Sequence, residues 1–240
     1  MMHKISLFLL PFLIFSCKNK LNYPTKIVLN ENWEFHQEGK SEIYPATVPG
    51  SVHEDLQKQG VISDPFYRLN ELDVQWIENE DWVYTTNFTM PNRLKSYDRL
   101  KLVFEGLDTY ADVYLNDSLI LSTENMFVGK QVDVTEVINS GENSLKVYFH
   151  SPIKVGLEKL QAHPYPLNVS NEIAPKGKQS RIFTRKAPFH FGWDWGPRLV
   201  TSGIWRDIYL EGYNLFDMEE LFIYHTELDN DNAPTVAEFD

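Results

Sequence analysis

The stretch from Arg185 to Trp205, RKAPFHFGWDWGPRLVTSGIW, holds side chains able to grip a polar, ring-shaped ligand. Five of its residues are Trp or Phe, set close to an Arg-Lys pair, an aspartate and two prolines. The core of a soluble domain rarely spends large side chains that way. Trp193, Asp194 and Trp195 follow one another directly. An indole offers a flat apolar face to the C–H side of a pyranose, and a carboxylate beside it accepts two hydroxyl hydrogen bonds that fix one stereoisomer. Affinity then comes from the rings and orientation from Asp194. A local reading of the same residues stands beside this one: Trp-rich turns also close the ends of β-sandwiches, and Asp favours turns for purely local reasons.

The remaining chain must supply the scaffold for that stretch. Trp82, Tyr84, Thr86, Phe88 and Met90 alternate with Val83, Thr85, Asn87 and Thr89, the period of a half-buried strand that Pro91 ends. Leu100, Leu102 and Phe104 repeat the pattern, and Ala111, Val113 and Leu115 alternate against Tyr110, Asp112, Tyr114 and Asn116. Ile27 to Leu29 and Trp33 to Phe35 read as a first strand pair with Trp33 inside. Val132 and Val134 begin another strand, Leu145, Val147 and Phe149 point one way in the next, and Pro152 ends that run. Ile204, Arg206, Ile208 and Leu210 mark the last strand. Ser51-Val52-His53-Glu54 has capping-box spacing and Gly60 is a stop, which predicts one short helix from about Val52 to Gln59. His53 has no second ligand at metal spacing and reads as solvated or hydrogen-bonded. Residues 64–82 read as an ordered excursion, and 154–178 as a long polar, lid-like loop. Short strands with turn signals between them predict an all-β sandwich of jelly-roll type over 27–212. Residues 213–240 read as a linker, the first strand of a new unit at Leu221 to His225, and an acidic, unstructured tail.

A chain of 240 residues, 42% hydrophobic, can bury a full core. Its formal charge of −12 removes the electrostatic case for nucleic acid, because phosphate backbones are bound by clustered Lys and Arg. The start, MMHKISLFLLPFLIFSCKNK, has a basic Lys4 and an apolar run from Ile5 to Phe15 that is too short to span a bilayer. Ser16 and Cys17 follow. This resembles the lipobox of bacterial lipoproteins, which implies removal of residues 1–16, lipidation of Cys17, a tether over 17–26, and an exported protein anchored at the periplasmic or outer-membrane face of a Gram-negative cell. An ordinary secretory signal peptide is the alternative. Cys17 is the single cysteine, so an intramolecular disulfide is excluded. Asn-x-Ser/Thr triplets at Asn87, Asn116 and Asn168 are coincidental under a lipoprotein signal. No cofactor is indicated, and no compact oxygen-ligand cluster marks a calcium or other metal site.

Phe191-Gly192-Trp193-Asp194-Trp195-Gly196-Pro197, followed by Gly203-Ile204-Trp205, resembles the signature of the β-mannosidases of glycoside hydrolase family 2. Gly106 to Asn116, GLDTYADVYLN, is similar to a stretch of the same family's sugar-binding-like domain, in which Asp108 reads as a structural turn residue. The resemblance runs from about Asn30 to Tyr224. It implies a galactose-binding-domain-like sandwich, followed by the start of an immunoglobulin-like domain. It also implies an exo-acting hydrolase that removes terminal β-D-mannose with retention, through two glutamates about 5 to 5.5 Å apart on a (β/α)8 barrel. That barrel lies outside this sequence. Asn30-Glu31 and Asn171-Glu172 copy the Asn-Glu dipeptide of the family's acid/base without standing at a barrel strand end, so no catalytic residue is assigned, and the chain by itself is expected to be inert. Its implied contribution is Trp193 and Asp194 in the mannose subsite, with mannose-terminated oligosaccharides and the downstream barrel as partners. Arg185 is added from the residues alone, as a guanidinium able to pair with Asp194 or a sugar hydroxyl. Trp195 reads as packing and Trp205 as core. A stand-alone mannoside-binding lipoprotein without hydrolase activity is the alternative, and another family 2 specificity a third reading.

Overall fold

A computed structural model describes residues 24–165, 167, 169, 171–175, 177–214, 221–227 and 233–239. Cys17, the leader and Asn168 lie outside the described residues.

The strands are β1 (Thr25–Val28), β2 (Trp33–Gln37), β3 (Tyr44–Ala46), β4 (Trp82–Thr89), β5 (Arg99–Phe104), β6 (Leu107–Asp108), β7 (Tyr110–Leu115), β8 (Ser118–Glu124), β9 (Lys130–Asp133), β10 (Glu142–His150), β11 (Gly203–Ile204), β12 (Ile208–Tyr213), β13 (Leu221–His225) and β14 (Thr235–Phe239). Two large antiparallel sheets form from them, β1-β12-β5-β9 with four strands and β3-β2-β4-β10-β7-β8 with six, beside the two-stranded pairs β11-β6 and β13-β14. Period-two alternation builds the space between. On β10, Leu145, Val147 and Phe149 are fully buried, while Lys146, Tyr148 and His150 on the opposite face are half-buried. Trp82 and Tyr84 of β4, Val113 and Leu115 of β7, Leu102 and Phe104 of β5, and Ile208 and Leu210 of β12 complete the interior. Its rings interlock: Phe35 lies 5.8 Å from Trp82 and 5.4 Å from Tyr84, and Tyr84 meets Phe149 edge-on at 5.5 Å.

Helix α1 (Val52–Lys58) forms as predicted, and Ser51 caps it: its hydroxyl accepts the Glu54 N–H at 3.5 Å and donates to the Glu54 carboxylate at 3.2 Å. A second helix, α2 (Pro152–Ala162), corrects the expectation of one helix and of a loop from Lys154 onward. Pro152 does end β10, but the first turn of a helix has no use for the N–H that proline lacks, and Ser151 caps that turn by accepting the Lys154 N–H at 3.1 Å. The tail is a second correction. Thr235 to Phe239 pairs antiparallel with Leu221 to His225, so residues expected to be unstructured close a hairpin.

The 64–82 excursion is ordered, as expected. Short 3-10 turns at Asn70–Leu72 and Ile77–Asn79 carry it, with Val74 and Ile77 buried and the Trp82 indole N–H donating to the Ile77 carbonyl at 3.1 Å.

Candidate functional site

The FGWDWGP segment is a narrow hairpin-like loop. Phe191 and Arg198 face each other as an isolated antiparallel bridge at its neck, and the Trp193 N–H donates to the Gly196 carbonyl at 3.2 Å. Gly192 turns with φ +86°, and a Cβ there would lie 2.6 Å from the Ile173 side chain, so both the conformation and the space require glycine. The fully buried Phe191 ring fixes one limb.

Arg198 fixes the other. Its Nε donates to both carboxylate oxygens of Glu78 at 3.0 and 3.1 Å, and its Nη2 donates to Oε1 at 2.8 Å. Its Nη1 donates to the carbonyls of Ile173 and Phe191 at 3.1 and 3.3 Å and stands 3.7 Å from Glu172. Burial pushes the Glu78 carboxyl above its ordinary range, and the Arg198 guanidinium opposes that shift.

At the tip, Trp193 is half-buried, whereas Asp194 is exposed and Trp195 is 72% exposed. Within this chain Trp195 is not packed as expected: its exposed ring stands 6.2 Å from Phe189 and lines a hollow with Phe66 and Pro197. Arg185 is also exposed. Its carbonyl accepts from the Met126 N–H, and among the described residues no hydrogen bond or ion pair joins its side chain to Asp194. The guanidinium that reaches the tip belongs to Arg181, which lies over the Trp193 ring at 5.7 Å from its centroid.

Beside the loop opens a cleft of about 700 Å³, walled by Phe66, Phe127, Phe189 and Trp205. Its floor is ionic. The Lys186 ammonium pairs with the Asp108 carboxylate and donates to the Thr201 carbonyl and hydroxyl at 3.0 and 2.9 Å, and the Thr201 hydroxyl donates to Asp108 at 2.7 Å. Asp108 is thus a buried anion, not the turn residue expected. Burial pushes its carboxyl up, but the Lys186 charge and the hydrogen bonds from Lys186, Thr109 and Thr201 outweigh that and leave it below its usual range. Lys186 is brought down by burial. His190 and His53 adjoin the pair, and each is lowered to about 4, first by burial and then by the Lys186 charge. His53 is buried rather than solvated, and among the described residues its Nδ1 has no hydrogen-bond partner. Trp205 is half-buried, its indole N–H donating to the Met126 carbonyl at 3.1 Å.

Neither Asn-Glu dipeptide is presented as an acid or base. Asn30 binds Asp207 and the Ile208 N–H, and Glu172 is buried, accepting the N–H groups of Ser180 and Arg181, both at 3.1 Å. Among the described residues no group of three or more His, Cys, Asp or Glu side chains is placed to hold a metal ion. The loop offers an exposed carboxylate and indoles for binding.

A family model described as glycosyl hydrolase 2 galactose-binding domain-like matches residues 33–206. The chain is similar to the β-mannosidase of Mus musculus, 39% identical over 196 residues that make up 80% of this chain and 22% of the relative. It is similar to β-mannosidase B of Thermothelomyces thermophilus, 42% identical over 191 residues, with 78% and 22% covered. Among solved structures, the β-D-mannosidase of Dictyoglomus thermophilum superposes with a TM-score of 0.81 at 39% identity, over 90% of this chain and 26% of that one. The chain thus spans about a quarter or less of the length of the relatives it matches.

Proposed function

The chain belongs to the glycosyl hydrolase 2 galactose-binding domain-like family, and on that premise we propose that it is the substrate-facing front domain of an exo-acting β-mannosidase. The whole enzyme releases terminal β-D-mannose with retention, using a glutamate pair on a downstream barrel. Alone, the chain is inert. The observation that carries this reading is the loop tip: an exposed Asp194 beside a half-buried Trp193, on a neck held by buried Phe191 and Arg198. A rigid neck under an exposed carboxylate suits a task in which hydroxyls must be met at fixed positions. Asp194 accepts sugar hydroxyls, and Trp193 limits the space in which the ring can sit. Arg185 is left, at most, as a contact to a more distant part of the glycan.

In the full-length protein, Asp194→Ala is expected to lower kcat/KM for an aryl β-mannoside on the order of 100-fold, because hydrogen bonds to a charged acceptor are among the strong ones. Unchanged kinetics would remove Asp194 from the substrate site and sink the reading.

We also propose export and anchoring through a lipidated Cys17 on the strength of the leader. Cys17→Ser is expected to move the protein from the membrane fraction to the soluble fraction, and an unaltered membrane fraction would reject the anchor.

A further inference from the structure

We infer that Arg198 is the positioning residue for the Trp193–Asp194 tip, acting by tying three segments to one point. The inference rests on the tip being the substrate contact. Each tie is a specific hydrogen bond. To the 64–82 excursion, the Arg198 guanidinium is forked onto Glu78, while the Gln75 side chain donates back to the Arg198 carbonyl at 2.8 Å. To the segment after α2, Nη1 donates to the Ile173 carbonyl and lies beside Glu172. Across the neck of its own loop, the same Nη1 donates to the Phe191 carbonyl. One guanidinium therefore spans all three.

The tip is reached by two routes from this point. Through the backbone, the Phe191–Arg198 bridge sets where Gly192 and Trp193 leave the neck, and Gly192 is wedged against Ile173. Through side chains, Glu172 holds the Arg181 N–H at 3.1 Å, and the Arg181 guanidinium covers Trp193. A single buried ion pair would hold two elements together; this fork and its neighbours fix the directions of the loop limbs as well. Asp194 itself makes no contact with Arg198, so the effect on substrate is indirect, through geometry.

The test uses the full-length protein with Arg198→Lys and Glu78→Gln. Lysine keeps the charge but loses the fork. Each variant is expected to stay folded by near-ultraviolet circular dichroism and to lose mannoside kcat/KM on the order of 100-fold, as small displacements of a positioning group do. In an Asp194→Ala background, Arg198→Lys is expected to cost less than about threefold more, because both changes remove the same aligned contact. Amide hydrogen exchange at Trp193 to Gly196 should quicken, while β4 and β10 keep their protection. Losses that multiply in the double variant, unchanged exchange at the tip, or unfolding of both variants would overturn the assignment. If Asp194→Ala alone leaves turnover intact, the mannosidase reading fails instead, and the exchange measurement still decides the role of Arg198.

Discussion

Two histidines flank the buried Lys186–Asp108 pair, and both resist protonation where they sit. His53 and His190 are each lowered from 6.5 to about 4. Well above pH 6.5 both are neutral in the folded and unfolded chain, and their contribution to stability is complete. Between 6.5 and 4 the unfolded chain takes up protons that the folded one refuses, so stability falls as pH falls. The melting temperature is expected to drop from pH 6.5 to pH 5, a range in which ordinary carboxylates have barely begun to titrate, and His53→Leu should flatten part of that slope. A slope that His53→Leu leaves unchanged would refute this account. At this scale the sequence was partly legible. Trp193 and Asp194 announce themselves by type and succession. Arg198 and Glu78 do not, because their partnership spans 120 positions and nothing local marks it. Arg181 and Arg185 show the same gap: which of them covers Trp193 depends on the turn Arg181–Phe183, not on nearness in sequence.

Elements were read well where alternation is strict. β4, β5, β7 and β10 carry it because one face of each enters the core and the other does not. The edge strand β8 was missed since its residues are mostly exposed and its pattern is broken by a register shift against β7 between Val113 and Tyr114. Helix α2 was missed because Ser-Pro after a strand marks an end and a beginning alike. Ser151 is the joint between them: its N–H donates to Asp81 at 2.7 Å, its hydroxyl donates to the Glu78 carbonyl at 2.6 Å, and the same oxygen caps α2. Replacing Ser151 with Ala is expected to cost about 1 to 2 kcal/mol, the loss of one cap with a buried carbonyl left unpaired. Urea denaturation would measure it, and a loss below about 0.3 kcal/mol would show that water replaces the hydroxyl.

At the scale of the molecule, the cleft side carries a run of exposed aromatic rings. Phe66, Phe127, Phe189 and Trp195 are each about half exposed or more and line two adjoining hollows. Contiguous aromatic surface of this kind marks a contact site. The isolated chain without its first 17 residues is expected to bind an apolar fluorescent dye. Trp195→Ser with Phe66→Ser should weaken that signal while changing stability by no more than about 1 kcal/mol in all, since exposed sites contribute little. Dye binding that survives both changes would place the sticky surface elsewhere. The shared anchor at Arg198 has a corollary for protein engineering. FGWDWGP is not a cassette: grafted onto another β-sandwich without a carboxylate in the place of Glu78 and a segment equivalent to 172–181, it would arrive without its hinge stops. Lengthening any one of the tethered loops would drag on the other two, which leaves the tip's own side chains as the place where a new ligand preference can be written.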